Sequence, residues 1–69
     1  MSERQQRAFE LVQRHDGLTN DELSDLMGLP IQSVCPVANS LFRAGKIIDS
    51  GERRPTRTGA MARVWRATE

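Results

Sequence analysis

A short helix in the first half of the chain places the tightest constraint on the fold. Thr19 and Glu22 have the spacing of a capping box, in which the two side chains accept each other's backbone N–H groups at a helix start. Leu18 and Leu23 flank the box as a hydrophobic staple, and Gly28 suits the left-handed cap that ends a helix. The predicted helix has only about nine residues, so its stability must come from packing against neighbouring elements.

A first helix is expected over roughly residues 3–15. Ser2 can cap its start, with Gln5 as the return partner of a second capping box, and Gly17 is expected at the left-handed cap that ends it. Apolar spacing predicts one inward-facing stripe on each of these two helices. The stripes comprise Ala8, Phe9, Leu11, Val12 and His15 in the first helix, and Leu23, Leu26 and Met27 in the second.

A third helix is predicted from about Ser33 to Ala44, after a turn at residues 29–32. Pro36 would break a helix interior, but in a first turn its missing N–H lacks a helical partner anyway, so Ser33 is placed at the cap. Gly45 is expected to terminate the helix. The predicted inward face consists of Val34, Ala38, Leu41 and Phe42.

The hydrophobic pattern changes after the third helix. Residues 46–50 and 62–67 have the composition of two antiparallel strands, with Trp65 expected to cover the core from the second. Residues 51–60 are polar, rich in arginine and too numerous for a tight hairpin, which predicts a protruding loop. The expected fold is a single domain over residues 1–69, mainly α with a small β-ribbon: three helices plus two antiparallel strands.

Charge is distributed unevenly along the chain. Residues 1–39 carry three arginines against six carboxylates, for a formal net charge of −3. Residues 40–69 carry seven cations, six of them arginine, against three carboxylates, for a net charge of +4. Such asymmetry favours a polyanion-binding end, and arginine is the residue best shaped for forked contacts to phosphate or guanine. The alternative is an ordinary solvated face.

Composition argues against several kinds of site. Cys35 is the only cysteine, and with the single His15 it can form neither an internal disulfide nor a closed zinc site. No nucleophile–base pair or phosphate-cradling glycine loop is present, so no enzymatic activity, metal, cofactor or small-molecule substrate is expected. The lone thiol, the absence of an apolar run near ~18 residues and the lack of a signal-peptide core favour the cytoplasm, with no membrane association. Because domains of about 70 residues commonly need reinforcement, a homodimer or a protein partner is the remaining source of added stability.

The order of elements and several residue strings resemble a known family. Helix, helix, short turn, helix and a two-stranded ribbon with a basic loop is the order of a winged helix-turn-helix domain. The chain resembles bacterial winged-helix regulators and small winged-helix proteins of phages and prophages over roughly residues 8–67. The strings that carry this resemblance are Leu18-Thr19-x-x-Glu22-Leu23-x-x-x-Met27-Gly28-Leu29-Pro30, Ser33-Val34, Leu41-Phe42-Arg43-Ala44-Gly45-Lys46-Ile47, Gly51-Glu52-Arg53-Arg54 and Val64-Trp65-Arg66.

The resemblance implies a duplex DNA-binding protein that reads sequence, acting as a small transcriptional regulator. In that family the third helix lies in the major groove, and the ribbon, called the wing, contacts an adjacent groove or the backbone. Asn and Gln can bond adenine edges, Arg can bond guanine, and Ser can reach bases or phosphates. Carried over by position, the implied contacts are Gln32, Ser33, Val37, Asn39, Ser40 and Arg43 on the third helix and Arg53, Arg54 and Arg57 on the wing.

One position departs from the family pattern and keeps a second function open. The family commonly has a basic residue directly after the proline of the third helix, whereas this chain has Val37. An apolar residue there can touch a thymine methyl or face a protein. The alternative function is a winged-helix module that binds a host or phage protein. An exposed patch of Leu29, Ile31 and Val37 would favour a protein partner, and a ring of arginines around Asn39 would favour DNA.

Overall fold

Three helices followed by two strands make up the computed structural model, which describes residues 2–68. The elements are α1 (Glu3–His15), α2 (Asn20–Met27), α3 (Ile31–Arg43), β1 (Ile47–Pro55) and β2 (Met61–Ala67). The strands form a two-stranded antiparallel sheet. The prediction of three helices and an antiparallel strand pair is confirmed, and the strands are long enough to make the fold mixed α and β. None of the helices in residues 2–68 has the length and apolar character needed to cross a membrane.

The two capping boxes form as predicted. In α1 the Ser2 hydroxyl accepts the Gln5 N–H at 3.2 Å, and the Gln5 side chain accepts the Ser2 N–H at 2.9 Å. In α2 the Thr19 hydroxyl accepts the Glu22 N–H at 3.1 Å, and Glu22 accepts the Thr19 N–H at 2.9 Å. The expected cap at Gly17 is wrong by one residue, because the cap of α1 is Asp16 in the left-handed region at φ 52°. Aspartate tolerates that conformation better than most residues.

The cap of α3 lies three residues before the predicted one. Pro30 is the cap, with extended backbone, and its carbonyl accepts the N–H groups of Ser33 at 2.9 Å and Val34 at 3.3 Å. Ser33 therefore lies in the first turn and caps nothing. Pro36 is the sixth residue of the helix and not in its first turn, so the carbonyl of Gln32 lacks its helical N–H partner.

Half of the predicted loop is strand. β1 continues to Pro55, and only residues 56–60 form the turn into β2. The register shifts between Asp49 and Arg53, which marks a bulge in β1. Local bonds stabilise the bulge, because the Asp49 carboxylate accepts the Gly51 N–H at 3.0 Å and the Ser50 hydroxyl accepts the Glu52 N–H at 3.2 Å. After the bulge β1 continues because residues 53–55 pair with residues 61–63 of β2.

One hydrophobic cluster joins all five elements. It consists of Ala8, Val12, Leu18, Leu23, Val34, Ala38, Leu41, Ile47 and Trp65. A bridge between Leu18 and Trp65, with N–H to O distances of 3.0 and 2.8 Å, also ties the α1–α2 connection to β2. Three residues predicted to face inward are exposed: His15, Leu26 and Phe42. Each lies at the end of a helix, where the core no longer covers the whole inward stripe.

Candidate nucleic-acid interface

One face of α3 presents an exposed stripe in which three of the four side chains are polar or charged. Gln32, Pro36, Asn39 and Arg43 are exposed and recur at four- and three-residue spacing, which places them along one side of the helix. The buried residues Val34, Ala38 and Leu41 occupy the opposite side. We call the four exposed residues the outward stripe. The whole helix, Ile31–Arg43, contains no Asp or Glu, whereas α1 and α2 both do.

The side chains of this face are available for binding. Within residues 2–68, the side chains of Gln32, Asn39 and Arg43 make no hydrogen bond, and neither does that of the neighbouring exposed Ser40. The structure thus groups four of the six residues predicted on this helix. Ser33 and Val37 lie on its flank and are half-buried, and Val37 packs against the core.

An open groove of about 300 Å³ separates α3 from β2. Asn39 of the outward stripe lines one wall and Arg63 of β2 lines the other. The Arg63 guanidinium carbon lies 5.2 Å from the Trp65 ring centroid, and its Nε is 3.6 Å from an Asp49 carboxylate oxygen. Arg63 was not among the residues predicted for binding. Its position two residues before Trp65, on the same side of a strand, was the available signal.

A chain of hydrogen bonds forms the floor of the groove. The Trp65 indole N–H donates to the Asn20 side-chain oxygen at 2.8 Å, and the Asn20 side-chain N–H donates to the Cys35 sulfur at 3.5 Å. The Phe42 and Trp65 ring centroids are 5.3 Å apart, which packs the end of α3 onto the same indole. These contacts link β2, α2 and α3, so the two walls of the groove are held in a fixed relation.

The three arginines predicted for the wing do not gather around Asn39. Arg53 pairs with Asp49 of its own strand at 3.0 Å. Arg54 and Arg57 reach back to α2 instead. Arg54 Nη1 lies 2.8 and 3.0 Å from the two Glu22 carboxylate oxygens. Arg57 pairs with Asp25, and its Nε lies 3.4 Å from an Asp21 carboxylate oxygen.

These contacts shift the ionisation of the paired groups. Partial burial opposes the charge of Glu22, but the Thr19 N–H and the Arg54 guanidinium together hold its pKa below its ordinary value. The Gly51 N–H and then Arg53 lower the pKa of Asp49. The hydrogen bond and charge of Asp25, followed by those of Asp21, raise the pKa of Arg57. Each of these three shifts favours the charged form of Glu22, Asp49 and Arg57.

The positive charges of the second half therefore fall into two classes. All five arginines of the ribbon lie within 4.0 Å of a carboxylate: Arg53, Arg54, Arg57, Arg63 and Arg66. Arg43 and Lys46 form no ion pair with any other residue in the range 2–68. The uncompensated positive charge of this half thus lies at the end of α3 and just after it.

The apolar patch that would favour a protein partner is only partly exposed. Leu29 and Val37 are half-buried and pack against the core. Ile31 alone of the three is exposed, to 43%. The ring of arginines around Asn39 is likewise incomplete, because Arg63 is the single arginine that lines the groove with it.

Comparison with known proteins finds no family model that matches the chain, and no curated protein or solved structure with significant similarity. What the chain does is therefore inferred from these residues and their geometry.

Proposed function

We propose that the chain is a winged helix-turn-helix protein that binds duplex DNA in the cytoplasm, with α3 in the major groove and the β1–β2 ribbon as its wing. The observation that carries the proposal is the outward stripe of α3. Gln32, Asn39 and Arg43 are side-chain types that bond base edges, and α3 has no carboxylate to repel phosphates. A helix of about 10–12 Å diameter also fits the major groove, which is about 12 Å wide.

The residues around the stripe supply the backbone contacts in this proposal. Arg43 and Lys46 carry positive charge that other residues in 2–68 leave unpaired, and Arg63 faces Asn39 across the groove. Phosphate contacts of this kind position a protein on DNA, and base contacts supply its sequence preference. The regulatory role follows the resemblance to bacterial and phage winged-helix regulators.

A protein-binding module is the second candidate. The observation that favours it is the exposure of large apolar residues on the ribbon, where Met61 is 63% and Ile48 46% exposed. Exposed apolar side chains of this size are typical of a surface that binds another protein. They lie on the strands, however, and not on the outward stripe of α3.

The proposal is tested by fluorescence anisotropy with a labelled mixed-sequence duplex. Arg43→Ala should weaken binding about five- to tenfold, because it removes a charge-assisted contact to phosphate or guanine. The matched control is Arg14→Ala on α1, a helix that packs against α3. This substitution should change affinity less than about twofold. Equal losses in the two variants would show that net charge alone drives binding, and no binding by the wild type would favour the protein-binding module.

A preferred site selected from random duplexes then tests base readout. Asn39→Ala should bind this site and unrelated duplexes with more similar affinity than the wild type does, since a good base contact contributes about 1–3 kcal/mol of discrimination. An unchanged ratio of the two affinities would remove Asn39 from the base-reading set.

A further inference from the structure

The acidic start of α2 lies close to the face proposed to bind DNA. The first residue of α2, Asn20, lies beside Cys35 of α3 at 3.5 Å and lines the same groove as Asn39. Asp21, Glu22 and Asp25 follow within the next five residues, and α2 contains no basic residue. We call these three residues the α2 carboxylates. Glu22 accepts the Thr19 N–H at the start of the helix, and its partner Arg54 lies opposite Ala62, which lines the groove. At physiological salt the screening length is about 8 Å, so an unpaired carboxylate at this end of α2 would repel a phosphate backbone bound along the groove.

The ribbon supplies the opposite charge at this point. Arg54 bonds both carboxylate oxygens of Glu22, and Arg57 pairs with Asp21 and Asp25. The partners are separated by 32 to 36 positions in the sequence, so these pairs depend on the tertiary fold. Together the two guanidinium groups contact all three α2 carboxylates.

We propose that Arg54 and Arg57 promote DNA binding by neutralising the α2 carboxylates, and not by contacting DNA themselves. This inference rests on the proposed function. An arginine that left its carboxylate to bind a phosphate would re-expose a negative charge beside the DNA, so the exchange would gain little. Kept in place, each arginine removes a repulsive charge and holds the end of the ribbon against α2. They are positioning residues. The contacts to DNA come from Arg43 and Lys46, which have no ion-pair partner in residues 2–68, and from Arg63, whose partner Asp49 keeps Arg53 at 3.0 Å.

The Arg54–Glu22 pair allows a sharp test. Glu22→Gln removes the charge but keeps an oxygen that can accept the Thr19 N–H, since glutamine also serves in a capping box. Binding of the wild type, Arg54→Ala, Glu22→Gln and the double variant to the mixed-sequence duplex is measured at several salt concentrations. Thermal unfolding of each variant confirms that it is folded at the assay temperature.

The proposal expects Arg54→Ala to weaken binding about three- to fivefold in the wild type, because it exposes Glu22. In the Glu22→Gln background the same change should cost less than about twofold and leave the salt slope unaltered. An equal loss in both backgrounds, with a log–log salt slope shallower by about 0.9, would identify Arg54 as a phosphate contact and overturn the proposal. No loss in the wild type would overturn it too.

The second pair gives an independent version of the same cycle. Arg57→Ala is compared in the wild type and in an Asp21→Asn/Asp25→Asn background. It should weaken binding in the wild type and much less in that background. An equal loss in both backgrounds, or no loss in the wild type, would contradict the proposal. A wild type that does not bind DNA at low salt contradicts the proposed function itself, which separates that failure from a failure of the charge-neutralising role alone.

Discussion

At the scale of single residues, Gly17 shows how one backbone position limits the sequence. Its φ is 120°, a backbone conformation that residues other than glycine rarely adopt. A Cβ added there would lie 3.1 Å from a Val64 methyl carbon, in a part of the core where Val64 is buried. Gly28 is also left-handed, at φ 67°, but has open space around it. An added methyl group would meet backbone strain at both glycines but steric overlap only at Gly17, so comparing the two substitutions separates these effects.

Gly17→Ala should therefore destabilise the protein more than Gly28→Ala. We expect about 2–3 kcal/mol for Gly17→Ala, from the strained backbone and the crowded methyl. Gly28→Ala should cost about 1 kcal/mol, from the left-handed conformation alone. Urea unfolding followed by the fluorescence of the sole tryptophan, Trp65, measures both. Equal losses would mean that the core around Val64 relaxes to accept the methyl.

Glu22 links the charge network to pH. Its pKa is lower in the folded chain than in the unfolded one, so its interactions add stability above the unfolded value, near pH 4.3. That stability is lost as the pH falls through the lower, folded value. Because Arg54 and Glu22 are 40% and 38% exposed, the contribution of their pair is well below that of a buried one.

Glu22→Gln should lower the free energy of unfolding at pH 7 by about 0.5 kcal/mol and flatten the loss of stability between about pH 5 and pH 3. Part of the acid dependence should persist, since the Asp49 pKa is lowered as well. Urea unfolding at pH 7, 5, 4 and 3 measures this. A variant whose stability falls with acid as steeply as the wild type's would contradict the assigned role of Glu22.

At the scale of elements, Asn20 joins α2 to both β2 and α3. It accepts the indole N–H of Trp65 and donates to the Cys35 sulfur. Trp65 is 2% exposed with Asn20 in place, so its indole N–H depends on the Asn20 side chain for its acceptor. A buried donor left without an acceptor destabilises a fold more than the net contribution of the bond itself.

Asn20→Ala should accordingly reduce stability by about 1–3 kcal/mol. Asn20→Asp is the matched control, because it keeps an oxygen for the indole and adds a favourable charge at the start of α2, so its loss should stay under about 0.5 kcal/mol. The same fluorescence-detected urea unfolding compares the two. Similar losses in both variants would show that the bond to Cys35, or simple packing, is the part that matters.

The elements also separate what local sequence determines from what it does not. Both capping boxes were predictable, because Ser2 with Gln5 and Thr19 with Glu22 bond within one helical turn. The start of α3 was misplaced because Pro30 caps it without a side-chain bond. The extent of β1 was missed because residues 53–55 are strand through their pairing with residues 61–63 of β2, on the far side of the turn.

The candidate site was predictable to a similar degree. The outward stripe follows from the helical period, and three of its four residues (Gln32, Asn39 and Arg43) were predicted. The partners of Arg54 and Arg57 could not be found this way, because their carboxylates lie 32 or more positions away in the sequence. Arg63 was missed because its place beside Asn39 depends on how β2 packs against α3.

At the scale of the whole molecule, the net charge of +1 is the sum of cations that are paired with carboxylates and cations that are not. The ribbon arginines are matched by carboxylates of β1, α2 and the end of α1. The outward stripe and Lys46 have no such compensation within residues 2–68. In the second half of the chain the positive charge without an ion-pair partner in residues 2–68 is therefore that of Arg43 and Lys46, at the end of α3, which is where the proposed DNA contact needs it.

The salt dependence of DNA binding tests this account most directly. Wild-type protein is titrated against a labelled mixed-sequence duplex at several salt concentrations between about 50 and 200 mM. If Arg43, Lys46 and Arg63 and one further group contact phosphates, the log of the binding constant should fall against the log of salt with a slope of about −3 to −4. Binding that is absent at the lowest salt, or that does not respond to salt, would contradict the proposal that this chain binds DNA.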